Sequence, residues 1–311
     1  LFLARMFAGF FGASISTASA YISDITPPEE RSKGMALIGA AFGLGFLIGP
    51  ALGGGLAIWG ESISAAPHFN TSFAAYWVAG LCLVNFLFGF KFLTESLKEK
   101  GVHREQRHRI AQFMHYLNQG LLGRLIGVFF LASVAMSTME ATLVLFVADR
   151  FGWTIQEITF GFAYIGLIMV ISQGFLVRRL LPVVGERRML VSGLIMMGLG
   201  LALIAISTNI PLLAVSQTLL AFGYSFTNPS ALGSISLLAD SKEQGAVLGT
   251  TQGSASLGRI IGPAVGGWLY GHLGMTTPFL TGGFLAALAL SIVLINFAKL
   301  PNNAQTVKVT T

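Results

Sequence analysis

Gly45-Phe-Leu-Ile-Gly49-Pro50-Ala-Leu-Gly53-Gly54 sits in an apolar stretch near the start of the chain. Gly258-Arg-Ile-Ile-Gly262-Pro263-Ala-Val-Gly266-Gly267 sits in an apolar stretch near its end. Both read GxxxGPxxGG, and each follows an apolar segment that closes in a short acidic loop, Ser23-Asp24 before the first copy and Ala239-Asp240 before the second. Six fixed positions recurring in equivalent surroundings predict a duplicated architecture, the plan of secondary transporters whose cargo sits between two halves near the membrane midplane. The motif works through backbone. Glycines at i and i+4 make a flat helix face that admits a close neighbour, and the proline removes a backbone donor and bends the helix. Each copy therefore predicts a bent, tightly packed helix.

Working outward from these two helices, the rest of the chain is apolar in long blocks. Hydrophobic residues make up 54% of the 311 positions and charged residues only 10%, too few charges to cover a water-soluble fold of this size. About 20 apolar residues in a helix cross the hydrocarbon core, and nine such segments are legible: 1–22, 34–58, 73–94, 123–148, 158–177, 189–207, 210–238, 246–270 and 277–298. Helices are required because lipid cannot satisfy free backbone groups, and no short alternating segments suggest a barrel. The expected fold is an all-α membrane protein with two pseudo-symmetric bundles, divided as 1–94, a linker 95–122, a six-helix bundle 123–298 and a tail 299–311.

Lysine and arginine set the topology. Sixteen fall in one set of loops and only Arg150 in the other, a positive-inside pattern that places the basic loops and the C-terminal tail in the cytoplasm. The net charge of +6 is thus a membrane-face signal, and nucleic acid is not an expected partner. The linker, with Lys98, Lys100, Arg104, Arg107 and Arg109, reads as a solvated strand of chain with a surface helix near 110–118 and some attraction for anionic lipid. A single cysteine, Cys82, excludes an intramolecular disulfide. The five histidines show no metal-ligand spacing, no GxxxxGK[ST] loop exists to cradle a nucleotide, and no nucleophilic triad is arranged. Neither a metal nor a cofactor is expected, and the chain is not read as an enzyme.

Charges inside an apolar span are costly and are functional candidates. Glu140, within Ser-Thr-Met-Glu-Ala-Thr, is the first. A carboxyl group withdrawn from water exchanges protons closer to neutral pH, and it attracts a cationic cargo. The bland alternative is a hydrogen bond to Ser137, Thr138 or Thr142. Arg5 stays charged and either biases a carboxylate or snorkels to the interface. Arg259, inside the second motif copy, either lines a cavity or pairs structurally. Gln173, Gln217 and Asn228 are polar candidates for the cavity, with interhelical hydrogen bonding as the alternative. Asn228-Pro229 opens its helix locally. Abundant Phe and Met suit an adaptable apolar pocket.

These residues together resemble the major facilitator superfamily. Gly45 to Gly54 looks like its fifth-helix antiporter signature. Arg5-Met-Phe-Ala-Gly9-Phe-Phe-Gly12, followed by Asp24 and Arg31, is similar to the fourth-helix RxxxGxxG pattern and its loop. Asp149 to Thr154 resembles the exterior loop after helix seven in the tetracycline-resistance and multidrug-efflux branch, and Gly174 to Gly185-Glu186-Arg187-Arg188 is similar to the loop between helices eight and nine. The chain aligns with helices four to twelve of a twelve-helix fold, so three helices are expected upstream of Leu1. The eight–nine loop lacks the usual Asp and carries Arg178 and Arg179 instead. The resemblance implies alternating access driven by a proton gradient, a small hydrophobic or cationic cargo, a monomer, and a bacterial inner membrane. It gives Arg5 a role in coupling. Uptake of a sugar or other metabolite, and a membrane protein that does not transport, are the competing readings.

Overall fold

The computed structural model describes residues 14–27, 30–64, 69–94, 109–240 and 243–301. Among these residues the chain is helical throughout, without strands. In chain order the helices are α1 (Ser14–Ile25), α2 (Arg31–Ile63), α3 (Phe69–Phe92), α4 (Arg109–Leu117), α5 (Gly120–Phe151), α6 (Ile155–Ile171), α7 (Val177–Val184), α8 (Glu186–Ile206), α9 (Ile210–Leu238), α10 (Gln244–Leu273) and α11 (Thr277–Ile295). A π turn, Ser172–Leu176, joins α6 to α7, and a 3₁₀ turn, Phe297–Lys299, follows α11.

Seven segments among the described residues are long and apolar enough to cross a membrane: Arg31–Gly49, Ser72–Phe92, Gly120–Phe151, Gln156–Val184, Glu186–Ile206, Ile210–Leu238 and Thr277–Ile295. Most of the predicted first span lies outside the described residues. The predicted 246–270 span forms α10, which is 30 residues long, but its Gln, Ser, Thr and Arg259 make it the more polar helix of the set. Arg178 and Arg179, read from sequence as loop residues, belong to helix α7 instead. The π turn carries the helix past position 171, so the chain does not break until Gly185, where φ is +82°.

Helix ends follow local chemistry. Thr154 caps α6 through a reciprocal bond with Glu157. The Asn209 side chain accepts from Leu212 N at 2.9 Å to start α9, and Gly152, at φ +66°, ends α5 in the left-handed region that favours glycine.

The helices pack mainly as α8 on α9 and α11, α5 on α10 and α11, and α2 on α6, α3 and α9. One core cluster, with Leu125, Ile126, Leu190, Ile235 and Val247, lies toward the end where Arg31, Arg124, Arg187 and Lys299 gather, here termed the basic end. A second, with Phe146, Met197, Leu201, Ile204 and Phe279, lies toward the opposite end. The outward faces are apolar: on α3, Tyr76 is 73% and Phe90 85% exposed. That inversion of a soluble protein's pattern suits a lipid environment.

The two motif copies differ in their surroundings. A Cβ at Gly258, Gly262 or Gly266 would meet Ser133, Ser137 or Thr138 of α5 within 3.1 Å, so α10 lies parallel to α5 in near-backbone contact. A Cβ at Gly45, Gly49 or Gly53 on α2 would meet nothing within 4 Å among the described residues. Pro50 and Gly54 lie within α2, and Gly267 and Pro263 face outward on α10.

Candidate functional site

The close contact of α5 with α10 fixes the register of the site. Gly258 lies level with Ser133–Val134 and Gly262 with Ser137–Thr138. Arg259 therefore sits about six residues, or roughly 9 Å along the helix, closer to the basic end than Glu140. Both side chains are exposed, and Arg259 is the charged group that acts electrostatically on Glu140. Among the described residues no nitrogen of Arg259 comes within 4.0 Å of an acidic oxygen, and the carboxylate of Glu140 has no hydrogen-bond partner.

The neighbouring hydroxyls are engaged elsewhere. Thr138 Oγ1 donates to Gly262 O at 3.3 Å, Thr142 Oγ1 donates to Thr138 O at 2.8 Å, and Ser137 is buried beneath Gly262. The bland reading of Glu140, a carboxylate tied to its own helix, is not what the helices build.

Helix α9 supplies the third wall. Asn228 Nδ2 donates to the Tyr224 hydroxyl at 2.9 Å, and both Glu140 and Arg259 act electrostatically on that phenol. Gln217, Tyr224 and Asn228 are spaced seven and four residues apart, so they share one helix face. Pro229 follows and has no N–H for the Ser225 carbonyl, which loosens the helix at this level. Toward the end opposite the basic one, the same face of α9 meets α6 in an aromatic cleft of about 320 Å³, lined by Trp153, Phe160, Tyr164, Leu213 and Gln217. Tyr164 Oη lies 2.7 Å from Thr218 Oγ1 across it. Four candidates thus fall on the walls of one region: Glu140, Arg259, Asn228 and Gln217. Tyr224 joins them unannounced. An isolated aromatic in an apolar helix reads as packing, and its only signal was the spacing to Asn228 and Gln217.

At the basic end, α2 forms a seam with the C-terminal helices. Ser32 Oγ donates to Glu186 Oε1 at 3.2 Å, and Arg31 Nη1 donates to Ser236 O at 3.2 Å. A Cβ at Gly233 would overlap Ser32, one at Gly39 would overlap Gln173, and one at Gly43 would press on Val170. Gln173 is fully buried here, within the π turn, and does not share the α9 face of Gln217 and Asn228. Glu186, also buried, was legible only as part of a loop pattern.

The remaining candidates are peripheral. Asp24 is exposed at the end of α1. Arg187 donates to Phe297 O at 3.1 Å and stacks on that ring at 4.4 Å, and Arg188 is exposed beside it. Arg5 lies outside the described residues. No group of three or more His, Cys, Asp or Glu side chains among the described residues is placed to hold a metal ion.

The model of the Major Facilitator Superfamily matches residues 1–184 and 174–309. The tetracycline resistance protein, class C, of Escherichia coli is 30% identical over 269 residues, which cover 85% of this chain and 65% of that protein. Multidrug resistance protein 2 of Bacillus subtilis (strain 168) is 29% identical over 300 residues, covering 94% and 72% respectively. The crystal structure of the human organic anion transporter MFSD10 superposes with a TM-score of 0.79 at 28% identity, covering 94% of this chain and 70% of that one. The chain thus spans about two thirds of the length of the curated relatives it matches.

Proposed function

Because the chain belongs to the Major Facilitator Superfamily, we propose that it works as a secondary active transporter exporting small hydrophobic or cationic drug-like molecules in exchange for protons. The observation that carries this reading is Glu140: an exposed carboxylate midway along an apolar helix, without a hydrogen-bond partner among the described residues and with Arg259 and Tyr224 as its charged and titratable neighbours there. Structural carboxylates in lipid are normally bonded, and unbonded ones facing a cavity are where cargo or protons are handled. The relatives named for tetracycline and multidrug resistance support export of drug-like cargo.

In this reading the basic end faces the cytoplasm of a bacterial inner membrane, following the positive-inside rule, and the protein acts as a monomer. The seam of Ser32, Glu186, Gly39 and Gln173 seals the cytoplasmic side while the aromatic cleft leads outward. A proton entering from outside neutralises Glu140 and loosens its hold on the cargo, which leaves along the cleft. The two halves then rock, the seam parts, and the proton is lost to the cytoplasm as new cargo enters. The proton gradient is the energy source, so no cofactor takes part.

The test uses the intact protein in liposomes with an imposed pH gradient and ethidium or tetracycline as cargo. Glu140→Gln removes the titratable proton and keeps the shape. Gradient-driven accumulation is expected to disappear in this variant, while exchange of labelled for unlabelled cargo without a gradient persists. If Glu140→Gln accumulates cargo against its gradient as the unaltered protein does, Glu140 is not the coupling residue and this reading falls.

A further inference from the structure

Glu140 and Arg259 present opposite charges to one space without joining each other. They are offset by about 9 Å along the parallel helices α5 and α10. The phenol of Tyr224 accepts its hydrogen bond from Asn228, which leaves the Tyr224 hydroxyl hydrogen to be donated onward. Among the described residues, Arg259 from α10 is the charged group that acts on Glu140, and Tyr224 from α9 is the titratable one near both.

We infer that the cargo is dipolar: an aromatic-bodied molecule with a cationic nitrogen held at Glu140 and an acidic oxygen held by Arg259 and Tyr224.

The charge arithmetic selects this class. A simple cation drawn to Glu140 comes under repulsion from Arg259, and a simple anion drawn to Arg259 comes under repulsion from Glu140. A molecule carrying both charges at a spacing near that of the two side chains satisfies each group and adds no net charge to a site where the charges of these two described side chains already cancel. Unpaired charges in a low-dielectric space are strongly penalised, so a ligand that pairs both at once is favoured over one that pairs either. The arrangement also orients the molecule, amine toward the cleft and acid toward the seam. The aromatic cleft at Trp153, Phe160 and Tyr164 receives the ring system on the outward path. A proton on Glu140 then breaks one of the two anchors while Arg259 keeps the other. The inference rests on the transport reading only in taking this space as the cargo site.

Two dyes that share one ring system separate the cases. Rhodamine B carries a carboxylate and a cationic xanthene, and rhodamine 6G carries the same kind of xanthene with the carboxyl esterified. Binding is measured by fluorescence anisotropy on the intact protein in lipid nanodiscs at neutral pH. Rhodamine B is expected to bind about tenfold more tightly than rhodamine 6G, the change that one good charged contact brings. Arg259→Gln is expected to erase that preference by weakening rhodamine B and, with the repulsion gone, tightening rhodamine 6G, and Arg259→Lys to keep part of it. Equal or better binding of rhodamine 6G by the unaltered protein overturns the inference, as does a preference that survives Arg259→Gln, or the failure of both dyes to bind. The comparison on the unaltered protein holds even if a variant fails to fold. Loss of the dye preference with proton coupling through Glu140 intact removes the dipolar cargo and leaves the transport reading standing. The converse result removes the coupling and leaves the binding site.

Discussion

At the scale of single residues, the site is a set of groups whose usual partners have been taken away. Thr138 and Thr142 spend their hydroxyls on backbone carbonyls, so Glu140 has no hydrogen-bond partner among the described residues, and Asn228 is spent on Tyr224. Tyr224→Phe removes that acceptor and the hydroxyl hydrogen together. A hydrogen bond contributes about 1 kcal/mol net, so cargo affinity is expected to fall about fivefold, with a small drop in thermal midpoint from the lost Asn228 bond, read by equilibrium binding and a melting curve side by side. Unchanged affinity in Tyr224→Phe places the phenol outside the site. Glu140, Arg259 and Asn228 were legible in the sequence because a charge or an amide in an apolar span is costly enough to demand a reason. Tyr224 was not, because its ring satisfies the apolar pattern and only its hydroxyl departs from it. Gln173 shows the limit from the other side. The same polarity signal marked it, but its side chain lies buried in the π turn against Gly39.

At the scale of helices, GxxxGP predicts close approach, and α10 delivers it: a Cβ at Gly262 would stand 2.7 Å from Ser137 Cβ and 2.9 Å from Thr138 N. Gly262→Val forces α5 and α10 apart at the level of Glu140 and is expected to cost about 1–3 kcal/mol of stability. Gly267→Val, where nothing lies within 4 Å, is expected to be near neutral. Thermal unfolding of the two variants in detergent checks the pair, and equal midpoints contradict the packing described. Apolar length made most helices legible, since lipid admits few other solutions. The π turn at Ser172–Leu176 was invisible. Its extra residue is decided by how α6 and α7 meet α2, and no residue type in Ser-Gln-Gly-Phe-Leu announces it. For the same reason Arg178 and Arg179 were misplaced in a loop.

At the scale of the whole molecule, the repeat predicts two related halves, but no local pattern in the sequence marks the seam between α2 and the C-terminal helices at the basic end. Ser32 and Glu186 are 154 positions apart, and their contact exists only in the assembled fold. Ser32→Ala deletes a bond worth about 1 kcal/mol and is expected to raise the share of molecules open at that end about fivefold. The readout is faster maleimide labelling of Ala36→Cys, a position fully buried in the closed seam; an unchanged labelling rate shows that the bond does not hold the seam. The central claim is that one site, walled by Glu140, Arg259, Tyr224 and Asn228, is offered to each side of the membrane in turn. The measurement that tests it most directly is labelling of Asn228→Cys, with Cys82 replaced by serine, by a membrane-impermeant maleimide added to one side at a time. The account predicts labelling from the side opposite the basic end in the conformation described, and labelling from the basic end once a reversed pH gradient or excess cargo drives the seam apart. Access from one side only under every condition, or from both sides at once in the absence of any gradient, would contradict it.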